Sequence, residues 1–170
     1  MKLITVLTGP AAAGKNSIAH IYATQFCERC AVIDVDLVRW MLRQPHAAPW
    51  DKEGLYQHRL GVKHACMLAK SFVVEQCEVV ILDVVWAVLG QLYRQELADY
   101  PLRIVRLMPS WEETLIRLHQ RPHSITDDEA QWVYRQQTLL KDFDQSIDNT
   151  HMPADDVAQW LASLVNSDTN

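Results

Sequence analysis

The chain has 170 residues, 49% of them hydrophobic, with a formal net charge of −5 and a pI near 5.7. That length predicts one domain, large enough to bury roughly 70% of the surface its unfolded form exposes. The acidic balance excludes the basic footprint that nucleic acid or an anionic membrane requires, and no run approaches the roughly 18 apolar residues of a transmembrane helix.

The first element is the apolar strand Leu3-Ile4-Thr5-Val6-Leu7-Thr8, which runs into Gly9-Pro10-Ala11-Ala12-Ala13-Gly14-Lys15. Gly9, Gly14 and Lys15 stand at the spacing of the Walker A loop, in which main-chain N–H groups surround phosphate oxygens and the lysine reaches the β and γ phosphates. The loop predicts a bound nucleoside triphosphate, with contacts from Gly9, Ala11, Ala12, Ala13, Gly14, Lys15, Asn16 and Ser17. A helix over 16–26 adds its positive N-terminal end to that cradle. One position departs from the motif: Asn16 stands where Ser or Thr normally offers a hydroxyl to Mg²⁺, and Ser17 comes one residue late. An amide oxygen also suits a hard cation, so Asn16 is a candidate Mg²⁺ ligand; it equally marks a loop that binds nucleotide and turns it over poorly. Lys2, the short apolar run and Ala11-Ala12-Ala13 imitate a secretory signal. The run stops after Leu7, short of the roughly 7–15 residues such a signal needs.

The four cysteines, without a secretory signal, predict reduced thiols and a cytoplasmic protein. Cys27-Glu28-Arg29-Cys30 is a lone CxxC at a helix-to-strand junction, with no second pair at zinc spacing, and reads as two incidental thiols. A second strand covers 31–33 and ends in Asp34-Val35-Asp36; a short helix over 37–43 leads to a loop over 44–50, whose Pro45 and Pro49 exclude regular helix. Leu55, Val62, Ala65, Ala69, Phe72 and Val73 recur at helical spacing, so a long helix runs to about 76. The continuous apolar run 79–82 reads as a parallel strand covered on both faces, ending in Asp83. After another helix, 104–108 makes a fourth strand. Ser110 with Glu113 and Thr126 with Glu129 are two capping boxes that start helices. The segment 145–148 precedes a last helix over 153–165, with Pro153 in its first turn and Asp155 and Asp156 at its positive end. Strands alternating with helices predict a parallel α/β sheet, in which ligands belong at the carboxyl ends of the strands.

That placement gathers Asp34, Asp36 and Asp83 near the phosphate loop. Strand-end carboxylates there suit Mg²⁺ held through its waters, and Asp34 and Asp83 are the candidates. A carboxylate one step further out can orient and deprotonate an attacking hydroxyl, the role expected of Asp36. In an extended segment Asp34 and Asp36 would share one side; alternatively, Asp36 caps the following helix. Arg117 and Arg121 lie four apart on one helix face and suit the charge that spreads over a transferring phosphoryl group, although Glu113 and Arg117 also form an ordinary ion pair. Trp50 is the candidate substrate wall, whereas Trp40, Trp86, Trp132 and Trp160 read as core. His46, His58, His64, His119 and His123 have no metal spacing and read as solvent-facing or locally hydrogen-bonded.

The GxxxxGK loop, the IDVD at the second strand, Arg39 three residues after Asp36, the LMPSWEETLIRLHQRP stretch and the IDNT before the final helix together resemble the P-loop small-molecule kinases. Within them, the gluconate-kinase, shikimate-kinase and chloramphenicol-phosphotransferase-like group is the most similar. The resemblance implies a P-loop NTPase three-layer sandwich of about five parallel strands, in a domain over 1–165 with a lid over about 117–134 and a tail over 166–170. It implies ATP as donor, with Arg117 and Arg121 on the lid, one near the base and one swinging onto the transferring phosphate. It places the Asp148-Asn149-Thr150 loop beside adenine, and Asp36 and Arg39 against the acceptor. The expected activity is ATP- and Mg²⁺-dependent transfer to a hydroxyl of a small molecule, by a monomer or homodimer with no nucleic-acid or membrane partner. The alternatives are a nucleoside or nucleotide kinase, and a nucleotide-binding regulatory protein with weak turnover; the absence of an NKxD motif disfavours a GTPase.

Overall fold

Every residue of β1 (Ile4–Thr8) is buried, as expected of a strand covered on both faces. In the computed structural model, which describes residues 1–45, 47, 48, 50–122 and 125–167, β1 is the central strand of a five-stranded sheet. The strand order is β2-β3-β1-β4-β5, with β2 (Cys30–Asp34), β3 (Glu78–Asp83), β4 (Leu102–Leu107) and β5 (Gln145–Ile147), and every pairing is parallel. Strand alternation sorts the side chains into two cores. Ile4, Val6, Val79, Ile81 and Ile104 pack against α3 (Lys52–Val74) and α4 (Ala87–Glu96). Leu7, Val80, Leu82, Val105 and Leu107 pack against α1 (Lys15–Gln25) and α7 (Ala154–Ser167). This is a three-layer P-loop NTPase fold.

The register aligns Thr8 with Asp83 across β1 and β3, and Asp34 with Leu82 across β3 and β2, so the strands deliver their polar ends to one edge. The chain leaves β2 differently from the sequence expectation. The helix α2 (Val35–Arg39) begins at Val35, because the Asp34 carboxylate accepts the Asp36 N–H at 2.9 Å and caps it. Asp34 is therefore the cap, Asp36 stands in the first turn, and the two are not alternate residues of an extended segment. After β4 come α5 (Trp111–His119) and α6 (Asp127–Leu139), which pack against each other. The Thr126–Glu129 capping box is complete, whereas at Ser110 only half forms: Ser110 Oγ accepts the Glu113 N–H, but the Glu113 carboxylate turns to Arg117. The segment expected as a lid thus comprises the end of α5, a connection and the first part of α6; His123 lies outside the described residues, as do His46, Pro49 and the tail from 168.

A buried amide fastens α6 to the sheet. Gln137, fully inaccessible, accepts from Thr8 Oγ1 at 3.2 Å and donates to the Val85 carbonyl at 2.7 Å, while Thr8 Oγ1 accepts the Val85 N–H at 2.9 Å. Gln137→Leu keeps the volume but leaves the Val85 carbonyl unpaired in the interior. It is expected to lower unfolding free energy by about 1–3 kcal/mol, read as a reduced midpoint in urea with unchanged slope.

Candidate active site

The loop after β1 is built where main chains come closest. A Cβ on Gly9 would stand 2.6 Å from the Leu107 carbonyl oxygen, and Gly14 holds φ 91°, in the left-handed region, immediately before α1. Ala12 also has a positive φ, 57°, and is kept there by packing against Leu118 of α5 and Ala130 of α6. Behind the loop, Asn149 donates through Nδ2 to the Ala13 carbonyl at 2.9 Å. Arg117 donates to the Asn149 and Thr150 carbonyls, both at 2.9 Å, and to Glu113 at 2.7 Å; Thr150 Oγ1 accepts the Ser110 N–H at 2.8 Å. Arg117, Asn149 and Thr150 thus form a brace beneath the cradle. The buried Oδ1 of Asn149 has no partner.

A cavity of about 740 Å³ opens on the other side of the loop. Ala11 to Ser17 line it, with Asp34, Asp36 and Arg39 from the β2–α2 junction, Asp83 at the end of β3 and Trp86 after it, Arg121, Ile125, Glu129 and Trp132 from the α5–α6 region, and Trp50 and His58. The structure therefore brings Lys15, Asn16, Asp34, Asp36, Arg39, Trp50, Asp83 and Arg121 to one space. Gly9, Arg117, Asn149 and Thr150 do not line it.

Lys15 folds back into the loop, donating to the Gly9 and Pro10 carbonyls at 2.8 and 3.0 Å. Desolvation lowers its pKa to about 8, against the raising influence of Asp36, Asp83 and Asp34; Arg121 adds to the lowering. Asn16 turns its Nδ2 to Asp34 at 3.4 Å, leaving the amide oxygen as the atom a hard cation would take. Arg39 Nη1 donates to Asp36 at 3.1 Å. Its stem crosses α3 directly over Gly61, where a Cβ would lie 2.4 Å from Arg39 Cγ, and its buried Nε has no partner. The glycine therefore fixes the height at which the Arg39–Asp36 pair sits.

Asp83 belongs to the same strand phase as Val79 and Ile81, so it points toward α3 and α4. There His58 Nε2 meets its Oδ1 at 2.7 Å, the Val84 N–H donates to the same oxygen at 2.7 Å, and the Tyr93 hydroxyl donates to Oδ2 at 2.8 Å. Burial works to raise this carboxyl, yet His58, Tyr93 and Val84 together hold it below the usual carboxylate range. Trp86 Nε1–H donates to His58 Nδ1 at 3.1 Å, which makes Nδ1 the acceptor and puts the proton of a neutral ring on Nε2, facing Asp83. Of the expected Mg²⁺ donors, Asn16 and Asp34 fit the ion in kind, whereas both oxygens of Asp83 are engaged by His58, the Val84 N–H and Tyr93; among the described residues no three or more His, Cys, Asp and Glu side chains cluster closely enough to hold a metal by themselves. Three sequence readings change: Trp132 is a cavity wall, Trp40 is half exposed, and His58 is a buried member of the Asp83 network; Trp86 packs against the core as expected and also lines the cavity.

No protein-family model matches the chain, and no curated protein does. Solved structures do. A sugar kinase from Janibacter superposes with a TM-score of 0.72 at 15% identity over 98% of this chain and 95% of its own. The APS kinase of Mycobacterium tuberculosis, in complex with AMPPNP and APS, gives 0.68 at 15% over 97% and 98%. Shikimate kinase from Acinetobacter baumannii, in complex with shikimate, gives 0.63 at 19% over 99% and 94%. The chain shares the fold of these proteins. In this fold the loop after β1 and the carboxyl edge of the sheet frame the cavity, and no helix of the described residues is long and apolar enough to cross a membrane.

The Lys15 amine gives the site a signature in pH. Because its pKa of about 8 lies under the ordinary 10.5, the folded state holds fewer protons than the unfolded one between those values, and the fold gains stability from this group as pH rises through that window. Polyphosphate around the amine acts in the opposite sense, raising its pKa. Nucleotide association just above pH 8 is therefore expected to take up a proton, and affinity to fall as pH rises through about 8. Calorimetric titrations in two buffers of different ionisation enthalpy read this directly.

Proposed function

We propose that this protein transfers the γ-phosphoryl group of ATP to a hydroxyl of a small molecule. The observation that carries the reading is that Lys15 and Asp36 line one cavity, the lysine on the loop side and the carboxylate, pinned by Arg39, where an acceptor would enter. Main-chain N–H groups of Ala11 to Lys15 bind the phosphates, and the lysine ammonium, released from the Gly9 and Pro10 carbonyls, follows the β and γ oxygens. Arg121 adds positive charge where the equatorial oxygens of the transferring group lie. Asp36 accepts the acceptor's hydroxyl proton as the oxygen–phosphorus bond forms, and Arg39 orients that carboxylate. Arg117 acts at a distance from the chemistry, holding the Asn149–Thr150 loop that in this reading borders the base. Asn16 and Asp34 would hold Mg²⁺, directly or through water, and the ion would supply neutralisation of phosphate charge.

Asp36→Asn removes the proton acceptor and leaves the cradle intact. Transfer to alcohols, followed as phosphorylated product by mass spectrometry across a metabolite and antibiotic collection, is expected to fall by about 10²–10⁴-fold with ATP affinity unchanged. Undiminished transfer would remove Asp36 from the chemistry. The bond from Asn16 to Asp34 favours a second reading, a nucleotide-binding protein with slow turnover, under which Asn16→Ser raises transfer at constant ATP affinity.

A further inference from the structure

The far end of the cavity is a wall of indole. Trp86 and Trp132 meet edge to face with centroids 4.7 Å apart and planes at 78°, and Trp132 meets Trp50 in the same manner at 5.8 Å and 69°. Trp86 is fixed in rotation, since its one polar atom is turned to His58 and through that ring to Asp83. All three tryptophans also border a second recess of about 260 Å³, completed by Leu55 and Val88 among others, so the wall continues beyond the main cavity. Around it the charges are already matched. Among the described residues of this wall, Arg39 is paired with Asp36, His58 is held between Asp83 and the Trp86 indole, Asp83 is answered by three donors, and Asp51 and Lys52 bring opposite signs to the recess. An acidic acceptor would need a cation at this end without a prior carboxylate partner. A planar apolar body needs what is there, since aromatic faces and edges attract one another beyond the area they bury.

From this juxtaposition we infer that the acceptor is a neutral alcohol on a flat apolar body, bound against the Trp50–Trp132–Trp86 wall. The inference rests on the phosphotransfer reading for the word acceptor, but the wall's ligand class is measured without turnover. The probes are 2-naphthalenemethanol as the flat neutral alcohol, and shikimate and D-gluconate as hydroxy acids, each titrated by ligand-observed NMR into the full chain with AMPPNP and Mg²⁺, then assayed with ATP for ADP release. Saturable binding of the naphthyl alcohol is expected, weakened about tenfold or more by Trp132→Ala and by Trp50→Ala. Trp50 is 44% exposed, so that second variant tests the wall without disturbing the fold. Binding of the hydroxy acids with none of the naphthyl alcohol would overturn the inference and leave phosphotransfer standing, as would naphthyl binding indifferent to both tryptophans. Tryptophan-dependent naphthyl binding without ADP release on either class would uphold the wall and sink the phosphotransfer reading.

Discussion

A lysine ammonium withdrawn into a loop of main chain is the constraint around which this molecule is arranged. Burying a charge is costly unless it is paired and hydrogen-bonded. Lys15 has two carbonyl partners and three carboxylates in its surroundings, yet desolvation still wins and its pKa falls. The protein therefore maintains a cation that is under-compensated in its own fold and suited to an anion entering from outside. The close approach at Gly9, the left-handed turn at Gly14 and the brace from Asn149 and Arg117 all hold the main chain in the shape that keeps the amine there.

The strand phase explains how carboxylates at one sheet edge acquire different roles. Asp83 is rotated away into hydrogen bonds from α3 and α4, and its charge is spent fixing His58 and hence Trp86. Asp34 is spent capping α2, which carries Asp36 one helical step outward and places Arg39 against it. All three border the cavity, and of them Asp36 is the most exposed, with 58% of its side chain accessible. Geometry, rather than residue type, separates a carboxylate that supports a wall from one available to a substrate.

The sheet, its parallel sense and the phosphate loop were legible because they leave local marks: unbroken apolar runs, glycines where no Cβ fits, and a lysine at fixed spacing. The start of α2 was misplaced because Asp34 and Asp36 are both capping residues by type, and only the three-dimensional turn decides that the first one caps. Arg117 could be placed on a helix from its spacing, but not against the Asn149 and Thr150 carbonyls, which come from 32 and 33 residues away. Trp132 reads as core because large aromatic residues usually are; nothing in its local sequence tells that α6 brings it beside Trp86 and Trp50. His58 gave no signal for the same reason, its partners Asp83 and Trp86 lying 25 and 28 residues away.

The central claim is that the loop around Lys15 encloses a polyphosphate, and thermal unfolding with and without MgATP tests it most directly. With nucleotide at about 100 times its dissociation constant, the native chain should gain about 2.7 kcal/mol, a rise in melting temperature of several degrees, and Lys15→Ala should lose most of that rise. A melting temperature indifferent to ATP, GTP and their analogues, or a rise that Lys15→Ala retains in full, would contradict the account.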